Sequence, residues 1–183
     1  SVNAPTIQTQ RLRLFGHTPE QLRTLLDGVE AYETRFSLRL AEGLQAFLMS
    51  DEVSPAYLES LRSAESADPW IHGFAVLHLE DNVLIGMGGY KGPPDAAGIV
   101  EIAYGIVPTY EGQGFATEVA RALIGYAVES GQVRIIRAHT LPEVNASTKV
   151  LEKCGFLCQG EVIDPDDGPV WRWERKANSE SDA

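Results

Sequence analysis

The stretch that decides the fold runs Pro108-Thr109-Tyr110-Glu111-Gly112-Gln113-Gly114-Phe115-Ala116-Thr117-Glu118. Before it lies an apolar run, Ile99 to Val107, that reads as a strand stopped by Pro108. After it, Ala116, Val119, Ala120, Leu123 and Ala127 fall on one face of a helix over Phe115 to Ser130, and Gly131 stands as its terminator. A strand therefore feeds a helix through a loop with two glycines. Gly112 and Gly114 let the backbone turn sharply and come close to a ligand. The first-turn N–H groups of a helix have no intrahelical partner, and the dipole favours an anion beside them. That combination is the usual physics of a phosphate or pyrophosphate cradle; a plain glycine-rich connection is the alternative. A dinucleotide fingerprint fits poorly, because its sixth position falls at Thr117 and the next strand ends His139-Thr140 instead of in an acidic residue. There is no Walker lysine.

Outward from this loop the punctuation is regular. Ile7 to Phe15 alternates and reads as one strand. Thr18-Pro19-Glu20-Gln21 reads as a capping box with Pro at the first helical position, and Leu22, Leu25, Leu26 and Val29 supply the stripe of that helix. Residues 38–50 and 55–64 read as further helices, the second started by Ser54-Pro55. Ile71 to Leu79 and Val83 to Tyr90 read as strands joined by Glu80-Asp81-Asn82. Val133 to Thr140 is a strand and Asn145 to Cys154 a helix closed by Gly155. Phe156 to Ile163 and Val170 to Arg175 are strands around Asp164-Pro165-Asp166-Asp167-Gly168. The order implies a mixed α+β sheet with helices packed on it.

The chain has 183 residues, 44% hydrophobic and 22% charged, which fits one domain or a domain with a small appendage. Fifteen Lys+Arg against 26 Asp+Glu leave a net charge of -11. That balance argues against a nucleic-acid binder, which needs a basic face, and against a polybasic membrane anchor. No apolar run reaches the ~18 residues of a membrane span, and no export signal is visible. Two cysteines, Cys154 and Cys158, are too few for a disulfide scaffold, so a cytoplasmic location is expected. His17, His72, His78 and His139 are scattered without ligand spacing, so no metal site is expected. Trp70, Trp171 and Trp173 are candidates for a pocket wall or for core packing.

Asn145 to Phe156 completes a set. Thr9-Gln10-Arg11-Leu12-Arg13-Leu14, Glu101-Ile102-Ala103-Tyr104-Gly105-Ile106, Gly112 to Glu118 and Ser147 to Phe156 follow one another in order. In that order and spacing the chain resembles the GNAT superfamily of acetyl-CoA-dependent N-acetyltransferases. It looks most like the branch with the bacterial ribosomal-protein N-terminal acetyltransferases. The resemblance covers roughly residues 7–176. It implies an α+β GNAT fold with a mixed central sheet of about seven strands, splayed in the middle, and helices on both faces. One domain over residues 1–177 is expected, with a polar tail at 178–183. It implies acetyl-CoA in the cleft between the two central strands, with pantetheine pairing to backbone near Ile106 and Val107. It places pyrophosphate on the amides of Gly112, Gln113, Gly114, Phe115, Ala116 and Thr117, with Asn145 and Ser147 alongside.

The sequence departs from the family pattern at four places. Glu111 stands where the loop usually opens with Gln or Arg, and Gln113 stands where a basic residue is common. Cofactor holding is therefore expected to rest on backbone amides more than on side-chain charge. The family's frequent Asn three residues before the helix serine falls at Val144, with Asn145 next door. The tyrosine that many members use as general acid falls at Leu151.

Acetyl transfer to an amine needs a neutral nitrogen, whereas a model α-amine has a pKa near ~7.7–8.0 and lysine near ~10.4. A base must take a proton. Glu101 is the candidate, on a strand face with the small Ala103 and Gly105; a rim or cross-strand charge is the alternative. Ser147 is the candidate to bond the CoA sulfur or the pantetheine; a first-turn serine satisfying backbone amides is the alternative. Tyr104 is a candidate cleft or core residue. No covalent nucleophile is evident, which implies direct attack in a ternary complex. The expected acceptor is a primary amine, either a protein N-terminal α-amine or a cationic small molecule. This follows from the acidic residues Asp27, Glu30, Glu33, Glu42, Asp51, Glu52, Glu59 and Glu65 in the variable region 16–70, opposed by Arg23, Arg35, Arg39 and Arg62. Two alternatives are a small-molecule or antibiotic acetyltransferase and a CoA-binding module without turnover. A monomer or homodimer is expected.

Overall fold

The computed structural model describes residues 4–48 and 55–178. Nine strands build one sheet among them, against the about seven expected. They are β1 (Thr6–Gln8), β2 (Leu12–Gly16), β3 (Arg39–Leu40), β4 (Phe74–His78), β5 (Val83–Tyr90), β6 (Ile99–Ile106), β7 (Ile135–Thr140), β8 (Leu157–Asp164) and β9 (Gly168–Lys176). Their order is β1-β2-β4-β5-β6-β7-β9-β8, and β3 pairs with β5 in parallel. All other neighbours are antiparallel except β6 and β7, the central parallel pair.

The helices are α1 (Pro19–Asp27), α2 (Val29–Phe36), α3 (Leu44–Leu48), α4 (Pro55–Ser63), α5 (Pro69–His72), α6 (Phe115–Glu129) and α7 (Ala146–Lys153). The core runs along the sheet under α6. Tyr104 of β6 pairs with Gly88 of β5, and a Cβ on Gly88 would touch Val119 and Leu123 of α6 at 3.0 and 3.2 Å. Strand alternation turns Val100, Ile102, Tyr104 and Ile106 to that face, and Glu101, Ala103 and Gly105 to the other.

Several elements differ from the sequence reading. Ile7 to Phe15 is two antiparallel strands, because the Thr9 amide donates to the Leu12 carbonyl and the Leu12 amide donates to the Thr9 hydroxyl, turning the chain. The helix that starts at the Thr18 capping box ends at Gly28, whose φ of 141° closes α1 and opens α2. Val29 therefore belongs to α2, not to the α1 stripe. Residues 38–50 do not form one helix: Arg39 and Leu40 pair with Val83 and Leu84, and only Leu44–Leu48 is helical. Residues 49–50 of that segment, the Ser54 start signal and the tail beyond 178 lie outside the described residues. Ile71 and His72 belong to α5, because Asp68 caps Pro69-Trp70 through the Trp70 amide. Strand β7 begins at Ile135, since the amides of Arg134 and Ile135 both donate to the Gly98 carbonyl.

Candidate functional site

The parallel pair opens. Ile99, Val100 and Glu101 of β6 pair with Ile135, Ile136 and Arg137 of β7, and the pairing stops there. Both strands continue, β6 to Ile106 and β7 to Thr140. Beyond Glu101 they diverge and leave an unpaired edge on β6. Lys91 N–H donates to the Glu101 carbonyl and Val107 N–H to the Ile85 carbonyl. Antiparallel alternation then directs the backbone groups of 101, 103, 105 and 107 toward β5, and those of Ile102, Tyr104 and Ile106 into the gap. Ile106 is thus available to an added strand. Val107 instead donates its N–H to the Ile85 carbonyl, and its carbonyl accepts from Tyr110 N–H.

Because β6 and β7 run parallel, their C-terminal ends lie together, and α6 and α7 both begin there. Gly112 and Gly114 have φ of 77° and 84°, a left-handed conformation that glycine adopts without a steric penalty. Gly114 is the N-cap of α6 and brings no side-chain cap. The first intrahelical bond runs from Glu118 N–H to the Gly114 carbonyl, so the amides of Phe115, Ala116 and Thr117 remain available to an anion. The Phe115 ring is buried against His78, with centroids 5.0 Å apart, so this residue can serve a ligand only through its backbone.

Arg11 holds the cradle from outside. Its Nη1 donates to the Gln113 carbonyl at 2.9 Å, its Nε to Glu118 Oε1 at 2.8 Å, and its guanidinium lies 4.1 Å over the Phe115 ring. Glu118 also accepts from the Thr9 hydroxyl and the Arg11 amide. Burial pushes the Glu118 carboxyl up, but the Thr9 and Arg11 hydrogen bonds and the Arg11 charge hold it below the ordinary carboxylate value. The bond to the Gln113 carbonyl pins the loop just before α6. Arg11, Arg121, Thr9, Gly114, Thr117 and Glu118 line a cavity of about 420 Å³ beside the cradle. Glu111 is exposed, and its amide closes the 3-10 turn Pro108–Tyr110 onto the Pro108 carbonyl.

Asn145 and Thr148 form a reciprocal capping box at the start of α7. That bond occupies the Asn145 side-chain oxygen. Ser147 is exposed on the first turn of α7, and its hydroxyl has no hydrogen-bond partner among the described residues. Leu151 is 1% exposed, a core residue on the buried face of α7. Tyr104 is half-buried, and burial raises its phenol above the ordinary value.

Glu101 marks the closed end of the gap, and Ser147 lies in the first turn of α7. Glu101 meets His139 Nδ1 at 3.1 Å and Lys91 Nζ at 3.1 Å. Sequence reading passed over His139, because strand pairing sets the distance and no spacing along the chain announces it. Arg11 was read as part of a motif but not as the clamp on Gln113. Cys154 is buried and burial raises its thiol pKa, which is unsuited to nucleophilic work. Trp173 is buried and donates to the Thr140 hydroxyl at 3.0 Å, while Trp70 packs on Tyr90 and Tyr126. Among the described residues no three His, Cys, Asp or Glu side chains gather to hold a metal, and no helix is long and apolar enough to cross a membrane.

A family model described as the acetyltransferase (GNAT) domain matches residues 11–157. The uncharacterized N-acetyltransferase YoaA of Bacillus subtilis is 31% identical over 133 residues, covering 66% of this chain and 75% of YoaA. Among solved structures, the ribosomal-protein-S5-alanine acetyltransferase of Vibrio fischeri superposes with a TM-score of 0.65 at 14% identity, over 96% of this chain and 98% of that one. A spermidine N-acetyltransferase SpeG chimera, from Vibrio cholerae and hSSAT, gives a TM-score of 0.62 at 18% identity, over 92% and 96%. At those identities the structural likeness speaks for the fold alone.

Proposed function

The chain belongs to the GNAT acetyltransferase domain family and is an N-acetyltransferase that uses acetyl-CoA as donor, and we propose that its acceptor is a cationic primary amine, with a basic protein N-terminus preferred. The observation that carries this reading is the gap. It has free backbone edges on β6, uncapped helix amides at its mouth and a carboxylate at its closed end. These residues fit the donor: an extended pantetheine matches the Ile106 edge, and a pyrophosphate matches the amides of Gly114 to Thr117. When bound, the donor supplies an activated thioester.

The roles of the chain's own residues follow. Backbone groups of Ile106 hold the donor extended, and first-turn amides of α6 neutralise its phosphates. The small Ala103 and Gly105 leave room beside Glu101 on the face turned away from α6. Glu101, as carboxylate, takes the proton from the acceptor ammonium, directly or through water. Ser147, with its hydroxyl uncommitted, bonds the sulfur side of the donor. With no activated Cys or Ser in the gap, the amine attacks directly in a ternary complex.

The acceptor class rests on charge. The region 16–70 carries more carboxylates than arginines, and the net charge of -11 attracts cations. A small polyamine is the second reading, favoured by the same charge. The test is CoA thiol release and mass spectrometry over a panel of basic peptides, acidic peptides, polyamines and aminoglycosides. Acetylation of the α-amine of basic peptides is the expected result. Turnover confined to polyamines or aminoglycosides selects the small-molecule reading. A thermal shift with CoA and no turnover on any amine overturns the catalytic reading.

A further inference from the structure

Glu101 sits inside a chain of contacts that runs across three strands. The nearest contacts of both His139 and Lys91 fall on the same carboxylate oxygen, Oε2. The other imidazole nitrogen of His139 is committed as well, because Arg172 Nε–H donates to His139 Nε2 at 3.1 Å. An imidazole whose Nε2 accepts carries its single proton on Nδ1, the nitrogen that faces Glu101. The side chains of His139 and Glu101 are 15% and 20% exposed, so little water competes for this contact. Register places the members together: Glu101 opposite Arg137, and His139 opposite Arg172. The other charged groups on this face are Lys91 after β5, Arg137 ion-paired to Glu174 at 2.7 Å, and Asp164 at the end of β8. The Asp164 carboxyl is held below its ordinary value chiefly by hydrogen bonds from the Asp167 and Asp166 amides.

We propose that His139 is a positioning residue for Glu101, with Arg172 fixing its tautomer. This rests on the reading of Glu101 as the base. His139 Nδ1, 3.1 Å from Oε2, fixes the orientation of the carboxylate and leaves Oε1 for the acceptor. The proton leaves the ammonium nitrogen and forms a bond to Oε1; from there it passes to solvent. It does not pass to His139, whose Nε2 lone pair is held by Arg172. His139 therefore acts on the reaction only through Glu101.

The experiment compares His139→Leu, His139→Asn, His139→Gln, Glu101→Gln and the Glu101→Gln/His139→Leu double variant. The readouts are kcat, KM for acetyl-CoA, the pH–rate profile and the melting temperature. His139→Leu is expected to lower kcat about tenfold, in the low range for a supporting group in acid–base chemistry, with KM for acetyl-CoA unchanged. The acid limb of its profile moves to higher pH, because a carboxylate that has lost a donor is protonated more readily. The double variant is no slower than Glu101→Gln alone. The amide nitrogen of Asn reaches the place of Nδ1 and that of Gln the place of Nε2, so Asn retains most activity and Gln does not. That pair decides the matter if the Leu variant fails to fold. An unmoved acid limb, equal Asn and Gln variants, or losses that multiply in the double variant overturn the proposal. Full activity in Glu101→Gln would instead remove the base reading itself, whatever the His139 variants do.

Discussion

At Gly114 the backbone holds φ at 84°, and an added Cβ would stand 3.3 Å from Nη2 of Arg11. A β-branched side chain there meets both an unfavourable conformation and the clamp. Gly114→Val is expected to raise the acetyl-CoA dissociation constant at least tenfold, about 1.4 kcal/mol, while the protein still melts cooperatively; unchanged affinity by calorimetry would count against the cradle. Glu101→Gln keeps the shape of the side chain and removes the base. Turnover at neutral pH should fall on the order of 10²-fold with donor affinity near normal, and a loss within about threefold assigns the proton to water or another group. His17 gives a stability prediction. It is 1% exposed, its Nε2 lies 3.0 Å from the Tyr32 hydroxyl, and its Nδ1 has no partner. Burial first, and His72 second, lower its pKa from 6.5 to about 3. The unfolded chain then binds more protons than the folded one, so stability is full above about pH 6.5 and falls as pH drops toward 3. The loss amounts to a few kcal/mol at most. His17→Gln, which can still bond Tyr32, should flatten urea-midpoint curves across that window; an equally steep curve in the variant would assign the acid sensitivity elsewhere.

Turn, helix and strand each take their role from a partner element. The β1–β2 turn reaches α6 through Arg11, which grips Gln113 and Glu118 together. Glu118 is 14% and Arg11 40% exposed on their side chains, so solvent screens part of the pair. Arg11→Met is expected to cost about 1 kcal/mol of stability, read as a lower melting temperature. It also weakens acetyl-CoA binding, because the loop loses the bond that fixes its amides. A stability loss with affinity intact would separate the clamp from the cradle. The starts of these helices were legible: Thr18 with Gln21, and Asn145 followed by Gly155, announce their own ends, since a cap is a local bond. The break at Gly28 was not, because Val29 continues the apolar spacing and only the backbone turn at Gly28 separates the helices. Strand β3 was missed for the opposite reason, since its conformation comes from pairing with Val83 and Leu84 and not from its own sequence.

Charge belongs to the molecule as a whole. The -11 balance sets a field that repels polyanions and attracts cations, while the proposed donor site relies on helix amides that act over a few ångströms. Steering of that kind weakens as salt shortens the Debye length from ~10 Å at 0.1 M toward ~3 Å at 1 M. The expected outcome is a kcat/KM that falls with salt for a cationic amine and stays level for a neutral one; two level profiles would leave the acidity as a solubility feature. The sequence by itself determined the order of elements around the glycine loop, the glycine-led start of α6 and Glu101 as a carboxylate beside small residues. Each of these is a local matter of caps, periodicity and residue type. Tertiary structure alone decided where β6 and β7 part, at Glu101 and Arg137, and that Val107 is already paired while Ile106 is open. It alone brought Arg11 to Gln113 and His139 to Glu101. These facts depend on strand register and on contacts between segments far apart along the chain, whose spacing in sequence carries no trace of their distance in space.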